Sequence, residues 1–233
     1  MFGWFSNSSK KEIQSPIITT QQGNEMTIPQ NLVSIDDIVL LEKSENWLEM
    51  ITACDFWAVQ QPSNPLPYFS SGNANRKIGK PIQAVSMYRK AIEVSNFPSN
   101  ILTSDFFPIP QCWYGLGHAY AQLGEQSKAA NAFIQAASLD PSAPDIWNDL
   151  GVIYLNLKPY DTEKAFEAFK KAIQIDPKNV KAITNIGIVY AICGKEDPVN
   201  MIYRELLLLE KTEADKFLKI AKVELQKVKT QSK

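Results

Sequence analysis

The sequence predicts an all-α protein built by repetition, and two observations carry that reading. The first is a residue pattern that comes back: Trp113, Leu116, Gly117, Tyr120, Gly124, Ala129, Phe133, Ala136 and Pro141 are followed by Trp147, Leu150, Gly151, Tyr154, Ala165, Phe169, Ala172 and Pro177. A weaker copy follows in Ile183, Ile186, Gly187, Tyr190, Gly194 and Tyr203. Gly117 and Gly151 are 34 residues apart, and Gly151 and Gly187 are 36 apart. The second observation is an apolar stripe, Trp47, Met50, Ile51, Cys54, Trp57 and Ala58, whose spacing fits one buried face of a helix over about 45–60.

Each repeated residue has a steric reason. Gly117 and Gly151 have no side chain where two helices meet, so the backbones can approach closely. Ala129, Ala165, Ala136 and Ala172 are small for the same purpose on the second helix. Trp113, Trp147, Tyr120, Tyr154, Phe133 and Phe169 fill the space between repeats and bury much apolar area. Pro141 and Pro177 follow Asp and stop the helix, because proline cannot continue it. One such unit cannot bury its own face, so units must stack.

A period of about 34 with these residues at fixed offsets resembles the tetratricopeptide repeat. The resemblance implies an α-solenoid of helix-turn-helix repeats, a right-handed superhelix whose concave face is lined by the first helix of each pair. It also implies recognition of a partner protein rather than bond-making.

The rest of the chain is placed in order around that core. Residues 1–33 are polar and without a period, which reads as a disordered tail. The short apolar start, Met1-Phe-Gly-Trp-Phe5, does not form a secretory signal. Residues 34–97 read as N-terminal helices and a degenerate first repeat. Ser34 is an N-cap with Asp36 and Asp37 in the first turn. Residues 61–79, with Pro62, Pro65, Pro67, Gly72 and Gly79, read as a long loop. Counting the repeat back strictly would put a helix at 66–78. The preferred partner of the helix at 80–96 is instead that at 45–60, with Cys54 as its small crossing residue. Residues 98–110 are an insertion too apolar for a solvated loop. Over 111–211 three repeats are expected, as helices at about 110–123, 126–139, 144–157, 162–175, 180–193 and 197–210, the last N-capped by Asp197. Residues 212–233 are a capping helix and tail, with Thr212 as N-cap and Glu224 ending the stack.

Composition narrows function. Hydrophobic content of 45% with a net charge of −1 fits a folded protein and gives no electrostatic pull toward nucleic acid. The three arginines, Arg76, Arg89 and Arg204, are few for reading phosphate. Cys54, Cys112 and Cys193 lie apart, so no metal site is expected, and the compartment is read as reducing and cytoplasmic. No apolar run of about 18 residues is present to span a membrane. His118 is the single histidine and has no nucleophile aimed at it in sequence, no phosphate loop or GxSxG occurs, and no cofactor or enzymatic activity is expected.

The groove residues implied by the resemblance are Tyr114, His118 and Gln122, then Asn148, Asp149, Val152 and Leu155, then Thr184, Asn185 and Ile188. Amides there can both donate to and accept from a peptide backbone, and the aliphatic residues can form an apolar floor. The carboxylate-clamp subclass of the family is rejected, because Gly115 stands where it needs Asn, and Asp145 and Asp149 stand where it needs cations. The expectation is a non-catalytic adaptor, scaffold or chaperone holding a peptide segment. The alternative is an assembly factor or structural subunit of a larger complex, docking through its convex face, the aromatic N-terminus and the 97–110 insertion with Phe106 and Phe107.

Overall fold

The computed structural model describes residues 17–19, 25–27, 34–95 and 109–231. Among them run eleven helices: α1 Ile35–Lys43, α2 Trp47–Gln60, α3 Pro65–Lys77, α4 Pro81–Ser95, α5 Ile109–Gln122, α6 Gln126–Leu139, α7 Pro144–Asn156, α8 Thr162–Ile175, α9 Val180–Ile192, α10 Glu196–Leu209 and α11 Lys211–Gln231. Two short strands, β1 Ile17–Thr19 and β2 Glu25–Thr27, pair antiparallel with Ile18 opposite Met26. The reading of 1–33 as a tail did not foresee that pair, because segments of three residues are too short to show a period. Met1–Phe5, Phe106 and Phe107 lie outside the described residues.

The helices form an α-solenoid of successive pairs, α3/α4, α5/α6, α7/α8 and α9/α10, closed by α11. The glycine logic of the repeat is literal. A Cβ on Gly151 would stand 2.5 Å from Phe169 Cε1, and one on Gly117 would stand 2.7 Å from Phe133 Cε1. Phe133 and Phe169, with Ala129, Ala136, Ala165 and Ala172, are buried. Trp147 donates from Nε1 to the Pro141 carbonyl at 3.0 Å, and Lys171 Nζ lies 4.1 Å from its ring centre. The turn proline of one repeat and the tryptophan of the next are therefore locked together.

The first repeat differs from expectation. Residues 65–77 are helix, not loop, and α4 pairs with α3 rather than α2. The residues that argued for a loop are a helix start and a close contact. Asn64 Oδ1 accepts from the Leu66 N–H at 3.0 Å, and Pro65 and Pro67 sit in the first turn, where helical N–H groups have no partner to lose. Gly72 leaves room for the Tyr88 ring, 2.8 Å from where a Cβ would be. Cys54 and Trp57 of α2 pack instead with Ile38, Leu41, Met50 and Ala74, joining α1, α2 and α3. Ser34 does cap α1, with Asp37 reaching back to the Ser34 N–H at 2.9 Å.

The C-terminal end departs from the repeat in a second way. Tyr203 was expected in the aromatic position, but the space beside Gly187 is filled by Phe217 of α11 together with Ile202. Ala214, Phe217 and Ala221 are all buried against α9 and α10. A single residue, Glu210, separates α10 from α11, so Thr212 lies within the helix and not at its cap. Asp197 likewise falls in the first turn of α10, after the cap position Lys195.

Candidate functional site

The first helices of the repeats, α5, α7 and α9, bring five of the expected groove residues into one polar ladder. Tyr114 Oη donates to Asp149 Oδ2 at 2.6 Å, and His118 Nε2 lies 3.1 Å from the same oxygen. Asn148 Nδ2 donates to Asp149 Oδ1 at 3.2 Å. Asn185 Nδ2 then donates to Asn148 Oδ1 at 2.9 Å. Tyr114 and His118 also meet edge-on, with ring centres 4.5 Å apart.

This ladder fixes charges. Burial opposes ionisation of Asp149, but hydrogen bonds from His118, Tyr114 and Asn148 outweigh it and hold the carboxyl below the ordinary carboxylate range. Burial and the hydrogen bond to Asp149 push the Tyr114 phenol up, so it stays a donor. The hydrogen-bonding partner of His118 is a carboxylate, not a hydroxyl or thiol that it could activate.

Several expected partner contacts are already engaged within the fold. Asn148 is 4% exposed, with its side-chain carbonyl used by Asn185 of α9 and its amide by Asp149 of its own helix. Val152 and Leu155 were expected as an open apolar floor; they are half-buried and pack on the cluster of Phe169, Ile186 and Val189. Ile188 packs toward the cluster of Ile183, Leu206 and Phe217. The physical reason is that these helix positions lean on the next repeat before they meet solvent. Gln122 is exposed at the end of α5, apart from the ladder.

Beside the ladder opens a cleft of about 640 Å³ at the starts of α7, α9 and α11. Asn148, Thr184 and Asn185 line it, as do Asp145, Lys181 and Glu210. Asp176, Asn179 and Glu213 complete the rim. The Thr184 hydroxyl is shielded from solvent and has no hydrogen-bond partner. Sequence reasoning reached Asn148, Thr184 and Asn185 through the repeat offsets. It missed Glu210 and Glu213, whose approach depends on how α11 folds back across α9.

Among the described residues, no three His, Cys, Asp or Glu side chains gather as a metal site, and no helix is long and apolar enough to cross a membrane. A further cleft of about 780 Å³ lies between α4, α5 and α6, lined in part by Trp113, Leu116 and Tyr120.

Stacked helix pairs of this kind define an α-solenoid repeat protein. Family models for the TPR repeat match residues 113–158 and for the tetratricopeptide repeat residues 144–179. The chain carries tetratricopeptide repeats over these residues. No curated protein matches the sequence. Among solved structures it is similar to MamA, at 23% identity over 86% of this chain and 99% of that one, with a TM-score of 0.60. It is similar to MamA 41-end from Desulfovibrio magneticus RS-1, at 18% identity over 76% and 93%, with a TM-score of 0.64. It is also similar to YrrB, described as a TPR protein with an unusual peptide-binding site, at 17% identity over 79% and 90%, with a TM-score of 0.63. At these identities the likeness speaks to the fold.

Proposed function

We propose that this protein is a non-catalytic adaptor or chaperone that holds an extended segment of a partner protein against the face built by α5, α7, α9 and α11. One observation carries the reading. The cleft beside Asn148, Thr184 and Asn185 draws its lining from consecutive repeats, and the ladder behind it is already hydrogen-bonded. A rigid, polar-lined face of this kind suits a backbone laid along it, because little order remains to be gained on binding. The peptide-binding site of the YrrB neighbour supports the same use of the fold.

The test is affinity capture with mass spectrometry on three forms of the full chain: wild type, Thr184→Arg, and Lys170→Ala. Lys170 is exposed on α8, outside the cleft. A partner retained by wild type and Lys170→Ala and lost by the cleft variant is the expected result. Equal recovery by all three would refute the reading.

A second reading, an assembly factor or structural subunit of a larger complex, draws support from the cleft floored by Trp113, Leu116 and Tyr120 between α4 and α6. Under it, capture fails on changing Phe106 and Phe107, while the Thr184 variant behaves as wild type.

A further inference from the structure

We infer that copies of this chain join head to tail, the acidic α1–α2 end of one stack meeting the basic α11 end of the next. The inference is independent of the groove reading and uses none of the residues that line its cleft. In a stack each inner helix pair is covered by neighbours on both sides, whereas the two end faces are covered on one side only. At the N-terminal end α1 packs on α2, and α2 packs on α3. The outward sides of α1 and α2 are aliphatic. Ile35, Val39 and Leu40 are exposed on α1, Leu40 at 60%. On α2, Leu48, Thr52, Asp55 and Val59 are exposed and fall at i, i+4, i+7 and i+11, which makes a single stripe. At the C-terminal end, α11 lays Ala214, Phe217 and Ala221 on α9 and α10. Its opposite side carries Lys216, Ile220, Val223 and Lys227, all exposed and at the same spacing. Apolar residues scattered singly over a surface need no explanation, but a stripe along each end helix leaves a face for a partner.

Charge selects that partner. Over Ile35–Gln60 six carboxylates, those of Asp36, Asp37, Glu42, Glu45, Glu49 and Asp55, stand against one ammonium, Lys43. None of the six has an ion pair among the described residues. Over Lys211–Gln231 the balance is reversed, with six lysines against three carboxylates. Lys219, beside the α11 stripe, has no ion pair among the described residues. Two like ends meeting would set carboxylate against carboxylate or ammonium against ammonium, and that repulsion opposes the contact. An acidic end on a basic end gains attraction while covering aliphatic side chains of both. Such a contact is heterologous. Each copy keeps one free end, so association continues past a pair into chains or a closed ring.

Sedimentation velocity of the full-length chain from about 1 µM to about 1 mM, the range of weak specific contacts, tests this. The average mass of wild type should rise with concentration past that of a dimer, and higher salt should lower it. Leu40→Lys with Val59→Lys blocks the head, and Ile220→Gln with Val223→Gln blocks the tail. Either alone should weaken association at least about tenfold, the loss expected when aliphatic side chains are no longer covered. An equimolar mixture of the two should restore a one-to-one pair and stop there, because each supplies the end that the other lacks. If a double variant lowers the melting temperature, Asp55→Lys for the head or Lys219→Glu for the tail replaces it, with a weakening of about twofold to fivefold. A wild type that stays monomeric throughout, as it would if residues 1–33 lay on the head, overturns the inference. So does a dimer that survives one of the two blocks unchanged, because like ends would then be meeting.

Discussion

Gly151→Ala should change the sign of its effect when one neighbouring ring is removed. Alanine in a helix interior is favoured over glycine by about 1 kcal/mol. At Gly151 the added methyl would stand 2.5 Å from Phe169 Cε1 and 2.7 Å from Cδ1 and Cζ. Phe169 is fully buried between the helices, so the ring cannot simply swing into solvent. Overpacking of this kind costs about 1–3 kcal/mol and exceeds or cancels the gain in propensity. Wild type should therefore lose up to about 2 kcal/mol on Gly151→Ala. Phe169→Ala alone should cost about 3–5 kcal/mol by leaving a cavity. In the Phe169→Ala background the methyl meets empty space, and Gly151→Ala should then stabilise by up to about 1 kcal/mol. The coupling is read from urea denaturation followed by circular dichroism on all four forms of the double-mutant cycle. If Gly151→Ala shifts stability by the same amount in both backgrounds, within about 0.5 kcal/mol, the ring does not lie against that backbone and the packing argument fails.

Phe217→Ala should cost about 3–5 kcal/mol, because α11 supplies the ring that fills the space beside Gly187. A truncation after Glu210 that stays as soluble and as stable as the full chain would sink the cap assignment. Asp149 gives a pH signature. A carboxyl held below its unfolded value near pH 4 stabilises the fold above that pH, and the stabilisation disappears as pH falls through the lower folded value. The gap in Tm between wild type and Asp149→Asn should therefore be widest near neutrality and close toward pH 2–3; a constant gap argues against the ladder. Asn148→Ala should lower stability by about 1–3 kcal/mol, more than the exposed change Lys170→Ala, since it strips the buried partner from Asn185 and from Asp149. Equal melting curves would rule that out. Burial pushes the Cys54 thiol up to about 12 and raises that of Cys112, whereas Cys193 is exposed. Iodoacetamide at pH 8 should alkylate Cys193 alone until denaturant is added, as read by peptide mass spectrometry.

The repeat was legible because its residues are chosen by sterics that leave little freedom. Gly117, Gly151 and Gly187 admit no Cβ, and Phe133 and Phe169 fill what they vacate. The α3 helix was not legible from composition, since Pro65, Pro67 and Gly72 carry loop propensity when read singly. They make sense only once Tyr88, distant in sequence, is placed against Gly72. The groove was partly legible. Helix offsets fix the direction in which Asn148 and Val152 point, but not how near the next helix stands. That distance decides whether a side chain meets solvent or a neighbour, and it turned Asn148 and Val152 inward. The carboxylates Glu210 and Glu213 were hidden for another reason. They reach the cleft because α11 leans across α9, with Phe217 taking the place expected for Tyr203.

The ladder also changes what a binding defect would mean. Asn148 sits more than nine-tenths buried and joins α7 to α9, while Asp149 joins α7 to α5 through Tyr114 and His118. Truncating either alters the angle between repeats, and with it the shape of the cleft. Loss of a partner in such a variant would follow from misplacement and would not show that the side chain touches the partner. Thr184, Asp145 and Glu210 differ, because they line the cleft and carry no ladder bond. A change there leaves the inter-repeat hydrogen bonds in place and alters only the lining of the cleft. The division of labour follows from stacking itself. Positions that meet the next helix are committed to holding the curve of the stack, and under the groove reading recognition falls to the rim residues that stacking leaves over.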